Sequence, residues 1–92
     1  MNISELRQIL QQEHIRADAY ELNGGNLPET YTLGNADGQW YVFYSEKGLE
    51  TGKRLFSSES EACKYFLGQI MRDLSTREPA ATNKTLGSSR IT

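Results

Sequence analysis

The sequence predicts a small α+β domain: an N-terminal helix, an antiparallel sheet of three or four strands, a C-terminal helix and a flexible tail. Three observations carry this. Apolar residues recur at three- and four-residue steps in two segments, near the start and between residues 58 and 74. A central stretch from Glu29 to Ser45 alternates about an Asp37-Gly38 pair. Past Leu74 both periods vanish into a run of small and polar residues, read as a tail over 75–92 beyond a single domain over 1–74.

The first helix is carried by Ile3, Leu6, Ile9 and Leu10, which form one apolar stripe. Asn2 can cap it, with Glu5 three residues on as the partner of a capping box and a favourable charge at the positive end of the helix dipole. The helix should end near Glu13 or His14, leaving Ile15 to pack under the next turn. A third strand is expected over Ala19–Leu22, closed by Gly24-Gly25-Asn26, and Pro28 bars a helix from running on. Glu29-Thr30-Tyr31-Thr32-Leu33 then alternates as a strand. Asp37-Gly38 can supply the positive φ of a tight hairpin turn. Gln39-Trp40-Tyr41-Val42-Phe43-Tyr44-Ser45 is the strongest strand signal in the chain. Trp40, Val42 and Tyr44 point one way and Tyr41 and Phe43 the other, so this strand should be central.

Glu46–Lys53, bracketed by Gly48 and Gly52, reads as a loop, with Arg54-Leu55-Phe56 as a short strand or a lead into the second helix. That helix opens on a Ser58-x-x-Glu61 capping box and presents Ala62, Cys63, Phe66, Leu67, Ile70 and Leu74 along one side. Gly68 within it suggests close approach of another backbone. Both helices are expected on one face of the sheet, leaving aromatic rings on the other face or at its margin.

Composition narrows the function. The chain has 92 residues, 37% of them hydrophobic and 24% charged, as expected of one globular domain. At this size a domain buries roughly 60% of its unfolded surface, so the core is small. Ten basic against twelve acidic residues, net −2, argue against a nucleic-acid binder. Residues 1–74 hold 7 basic and 11 acidic side chains, a net −4, so the folded part is more acidic than the whole. One Cys excludes an internal disulfide, and one Cys with one His excludes the usual zinc clusters, so neither metal nor cofactor is expected. No long apolar run spans a membrane, and the N-terminus lacks the pattern of a secretory signal, so the cytoplasm is the expected compartment.

No catalytic constellation stands out. Cys63 lies on an apolar stripe, where a thiol is a small hydrophobe. His14 at a helix end is better explained by capping than by catalysis. No Ser elbow, P-loop or metal-binding His pair occurs. The informative features are carboxylates and rings. Glu61 and Glu59 are explained by the start of the second helix. Glu29, Glu46, Glu50 and Asp37 are either solvated loop charges or an acidic rim for a basic partner. Tyr offers apolar area with a polar tip, which suits a binding surface.

Trp40-Tyr41-Val42-Phe43-Tyr44-Ser45-Glu46-Lys47-Gly48, followed by Phe56-Ser57-Ser58-Glu59-Ser60-Glu61-Ala62-Cys63-Lys64-Tyr65-Phe66-Leu67, resembles small bacterial immunity proteins of polymorphic toxin and contact-dependent growth inhibition systems. Tyr20-x-Leu22-x-Gly24-Gly25 and Glu29-x-Tyr31-x-Leu33 fit the same layout, and the resemblance covers residues 3–74. Lys47 stands where Arg is expected. The resemblance implies a non-catalytic protein that binds a cognate toxin domain, often a nuclease, and occludes it. Partner contact is then expected at Tyr44, Glu46, Glu50 and Asp37. The alternatives are a small structural or regulatory adaptor that forms a homodimer through its sheet, or an acidic secretion chaperone.

Overall fold

The computed structural model describes residues 1–25 and 27–78. The order of elements is helix α1 (Ile3–Gln12), strands β1 (Tyr20–Glu21), β2 (Thr30–Ala36), β3 (Gln39–Glu46) and β4 (Leu49–Phe56), and helix α2 (Glu59–Arg72). Single 3-10 turns precede β1 (Ala17–Ala19) and follow α2 (Leu74–Thr76). The four strands form one sheet in the order β1-β2-β3-β4. The expected α+β architecture is therefore present, with an antiparallel core of β2, β3 and β4. The short β1 joins the edge in parallel, pairing Tyr20 with Tyr31 and Glu21 with Thr32.

Local chemistry sets each boundary. Asn2 accepts a hydrogen bond from the Glu5 amide at 2.9 Å, and Glu5 accepts one from the Asn2 amide at 3.0 Å. Two of the four amides orphaned at the start of α1 are thus satisfied reciprocally. At the other end His14 stands at φ +59°, its N–H donating to the Gln11 carbonyl while Ile15 N–H donates to Leu10. That is a Schellman closure, with Ile15 and Leu10 both in the core. His14 thus ends the helix through its backbone, while its side chain is exposed. At α2 the cap is only half a box: Ser58 Oγ accepts from the Glu61 amide at 3.2 Å. Glu59 instead reaches across to accept from the Ile3 amide at 2.8 Å, tying together the first turns of the two helices.

The β2–β3 turn has Asp37 and Gly38 both at positive φ, as the favoured two-residue hairpin requires. Lys47 and Gly48 repeat that geometry, and this corrects the expected loop over 46–53. Glu46 ends β3, and the chain reverses in two residues into β4, an eight-residue edge strand. Its first part pairs Leu49 with Glu46, Glu50 with Ser45 and Thr51 with Tyr44. Gly52, at φ +65°, then introduces a β-bulge, after which Arg54 pairs with Val42, Leu55 with Tyr41 and Phe56 with Trp40. Seven of the eight residues of β4 are exposed.

The core is one cluster: Leu6 and Leu10 of α1; Ile15, Ala19 and Leu22 from the chain on either side of β1; Leu33 and Val42 of the sheet; and Ala62, Cys63, Phe66 and Ile70 of α2. Helix α2 lies across β2, β3 and β4, whereas α1 leans chiefly on α2 rather than on the sheet, a departure from the expected pair of helices on one face. The Gly68 expectation is also corrected. A Cβ built there meets nothing within 4 Å, so no backbone packs against it.

The opposite face is not the open aromatic surface expected. Phe43, Thr30, Thr32 and Ser45 on that side are buried. Tyr41 stacks on Phe43 at 5.8 Å, with planes 8° apart, and lies over Gly34 of the neighbouring strand. Lys53 Nζ covers the Tyr41 ring at 4.9 Å. The expected tail boundary at Ser75 falls inside ordered structure. Thr76 is buried, its carbonyl accepts from Arg16 N–H at 2.7 Å, and Glu78 N–H donates to the His14 carbonyl at 2.7 Å. The remainder of the expected tail, 79–92, lies outside the described residues.

Candidate functional site

Half-buried rings remain on both faces of the sheet: Tyr41 on the far one, and Tyr31 and Tyr44 on the helix side, where they form a pair. The two-residue turn at Asp37-Gly38 pairs Ala36 with Gln39 and, stepping back along both strands, Tyr31 with Tyr44. Directly opposed residues share a face, so the rings meet: their centroids are 4.8 Å apart, edge to face at 61°. Tyr31 also meets Phe66 of α2 edge-on at 6.4 Å. Each hydroxyl reaches a different carboxylate. Tyr31 Oη donates to Asp73 Oδ2 at 2.9 Å, and Tyr44 Oη donates to Glu29 Oε2 at 3.1 Å.

Those carboxylates come from unrelated places. Asp73 is the residue that ends α2, and its other oxygen accepts from the Ser75 amide at 3.0 Å and from Ser75 Oγ at 2.6 Å. Glu29 precedes β2 at φ +51° and is exposed. Burial first, then the Asp73 hydrogen bond and charge, push the Tyr31 hydroxyl up to about 12. The Tyr44 hydroxyl is raised as well, by burial first, then by its bond to Glu29 and the charges of Glu29, Asp73 and Glu46. The Asp73 carboxyl is held below its ordinary value chiefly by the Ser75 hydroxyl, with help from Tyr31 and from the Arg16 charge.

Beside the tyrosine pair a cleft of about 300 Å³ opens between α2 and the β3–β4 hairpin. Tyr31, Tyr44, Thr51 and Gly52 line the sheet side, and Tyr65 and Gln69, one turn apart on α2, line the helix side. The bulge at Gly52 therefore borders the cleft, and bulges bend an edge strand away from its neighbours. Arg54 lies over the Tyr65 ring at 5.4 Å, and Phe56 packs against that ring at 5.2 Å.

Of the four expected contact residues, Tyr44 and Glu46 belong to this region. They are two apart on β3 and share the helix-side face. Glu50 does not join them. It pairs with buried Ser45 on the opposite face, and Lys53 Nζ holds its carboxylate at 3.3 Å. Asp37 stands at the far end of β3, roughly 25 Å away at strand rise. The expected acidic rim is thus divided. Glu29, weighed as a rim acid but not chosen, belongs to the cluster, and Asp73, Tyr31, Tyr65 and Gln69 were missed. The hairpin register could have found Tyr31, since the Asp37-Gly38 turn already sets it opposite Tyr44. No local pattern marks Asp73.

The arrangement suits binding. Cys63 is fully buried, and burial first, then Glu59, raises its thiol further from the reactive thiolate. The His14 side chain is exposed and faces Glu78 at 3.7 Å. Among the described residues no group of three or more His, Cys, Asp or Glu is placed to hold a metal ion, and no helix is long and apolar enough to cross a membrane. No family model, curated protein or solved structure matches this chain.

Proposed function

We propose that this protein is a non-catalytic inhibitor, acting in the cytoplasm, that captures and occludes a cognate toxin domain carrying a basic surface, as an immunity protein of a polymorphic toxin system does. The observation that carries the reading is the margin where Tyr31 and Tyr44 meet Glu29, Glu46 and Asp73 beside a cleft. Aromatic rings supply rigid contact area with a polar tip, and the carboxylates supply a negative field that complements the basic phosphate-binding cleft of a nuclease. An interface of about 800 Å² per partner would occupy 20–30 residues, enough to extend from this margin over the hairpin tip.

The competing reading, a homodimer built by pairing β4 with a second copy, is disfavoured by that edge. Glu50, Lys53 and Arg54 charge it, and the Gly52 bulge interrupts its ladder. These are the devices by which natural sheets discourage edge pairing.

Co-expression tests the proposal. The toxin domain encoded beside this gene is expressed alone and with this chain, and growth and co-elution are followed. Restored growth with a stable 1:1 complex is the expected result. Unrelieved toxicity and separate elution would refute the inhibitor reading.

A further inference from the structure

We propose that the cleft between Tyr44 and Tyr65 is a socket for one arginine side chain of the partner, with Glu29 as its carboxylate anchor. The inference rests on the inhibitor reading for the partner's identity but on the cleft alone for its chemistry. At about 300 Å³ the cavity is at the lower limit of ligand pockets and admits a single long side chain. Three tyrosines, Tyr31, Tyr44 and Tyr65, are among the residues that line it, together with Thr51, Gly52 and Gln69. Ring faces attract guanidinium, and this structure already contains the pairing, since Arg54 lies over Tyr65.

Charge next to the cleft points the same way: no carboxylate lines it, but Glu29 accepts from the hydroxyl of Tyr44, which does line it. Glu29 is engaged through Oε2 by Tyr44 Oη, and among the described residues no other group bonds it. In the proposed socket its second oxygen takes the incoming guanidinium. Asp73 has both oxygens bonded, by Tyr31 and by Ser75, so it contributes field rather than a docking atom. Glu46 adds a further negative charge on the same face. Two of the nearby cations are already engaged: Arg16 by Asp18 and the Ser75 carbonyl, and Arg54 on the Tyr65 ring. Arginine fits better than lysine because its planar fork can stack on a ring while donating to a carboxylate.

The test uses the whole chain, isotopically labelled, and the capped peptide acetyl-Gly-Arg-Gly-amide, followed by NMR of the tyrosine rings and the Gln69 side-chain amide. The matching peptide with neutral citrulline in place of arginine is the control. Saturable shifts at Tyr31, Tyr44, Tyr65 and Gln69 with arginine alone are expected. Glu29→Gln should weaken binding about tenfold, as loss of one charge-assisted bond implies, while Asp37→Asn at the far end of the hairpin leaves it unchanged. Absent shifts, equal shifts with citrulline, or equal loss in both variants would overturn the socket. Arginine binding without toxin capture would sink only the inhibitor reading. Undiminished capture by Glu29→Gln would sink only the socket.

Discussion

Tyr31 and Tyr44 face one another across the β2–β3 ladder, and each donates a hydrogen bond to a carboxylate that the other does not bond: Asp73 for Tyr31, Glu29 for Tyr44. The pair therefore joins the end of α2 to the turn before β2 through a sheet register that a two-residue hairpin turn imposes.

Asp73, held down chiefly by the Ser75 hydroxyl, and Tyr31, raised first by burial and then by its bond to Asp73, make stability depend on pH at both extremes. Asp73 has a lowered folded-state value, so its contribution is complete above the ordinary Asp range, about 3.9, and is lost as pH falls through the lowered value. Tyr31 is raised from 10.0 to about 12, so its contribution is complete below pH 10 and is lost as pH rises from there toward 12. Urea midpoints measured against pH should show both losses. Asp73→Asn should flatten the acid one and Tyr31→Phe the alkaline one; an unchanged profile in either variant would contradict the assignment.

Gly34 is required where it stands. A Cβ there would lie 2.4 Å from Cζ and Oη of Tyr41, whose ring is held by Phe43 and Lys53. Gly34→Ala is expected to cost about 1–3 kcal/mol, the range of overpacking in a filled site. Adding Tyr41→Ala removes the obstruction, so denaturant melts of the four proteins in the cycle should show strong coupling rather than additive losses.

Two other backbone positions carry avoidable cost. His14 adopts the left-handed conformation that closes a Schellman motif, where Gly is the unstrained residue. Gly68 occupies the middle of α2 with open space where a Cβ would go. His14→Gly and Gly68→Ala should each raise unfolding free energy by about 1 kcal/mol. A decrease at Gly68 would reveal a packing constraint absent from this structure.

Charge at the cleft should govern how quickly a basic partner is found. Glu29→Lys with Glu46→Lys is expected to slow association with the toxin domain about tenfold at low salt, with the deficit shrinking as salt rises above physiological strength. Asp37→Lys, at the other end of β3, should slow it far less. Stopped-flow measurements at two ionic strengths decide between steering and a purely apolar contact, for which both variants would behave alike.

Much of this fold is legible in the residues. Ile3, Leu6 and Leu10 mark α1, Ser58 marks the start of α2, and Asp37-Gly38 marks a hairpin, because caps, stripes and turns are local chemistry. The part of β4 before Arg54 is hidden because its edge position leaves both faces in water. No apolar alternation is needed there, and the Gly52 bulge breaks the period. The Lys47-Gly48 turn carries the missing signal, repeating the form of Asp37-Gly38. The faces of Tyr41 and Tyr44 follow from strand alternation, but which face stays accessible depends on what packs against it.

The sequence by itself determined the two helices and the residues that cap their starts, the β2–β3 hairpin and its register, and an excess of negative charge over 1–74, since each depends on neighbours a few residues apart or on simple composition. Tertiary structure alone decided that β1 pairs in parallel, that Glu50 falls on the face opposite Tyr44 and Glu46, and that Glu29 and Asp73 converge on one tyrosine pair. The physical reason is separation along the chain. Glu29 and Asp73 are brought together only by laying α2 across the sheet, and burial of the apolar stripe on that helix, not any local preference, fixes where its last residue ends.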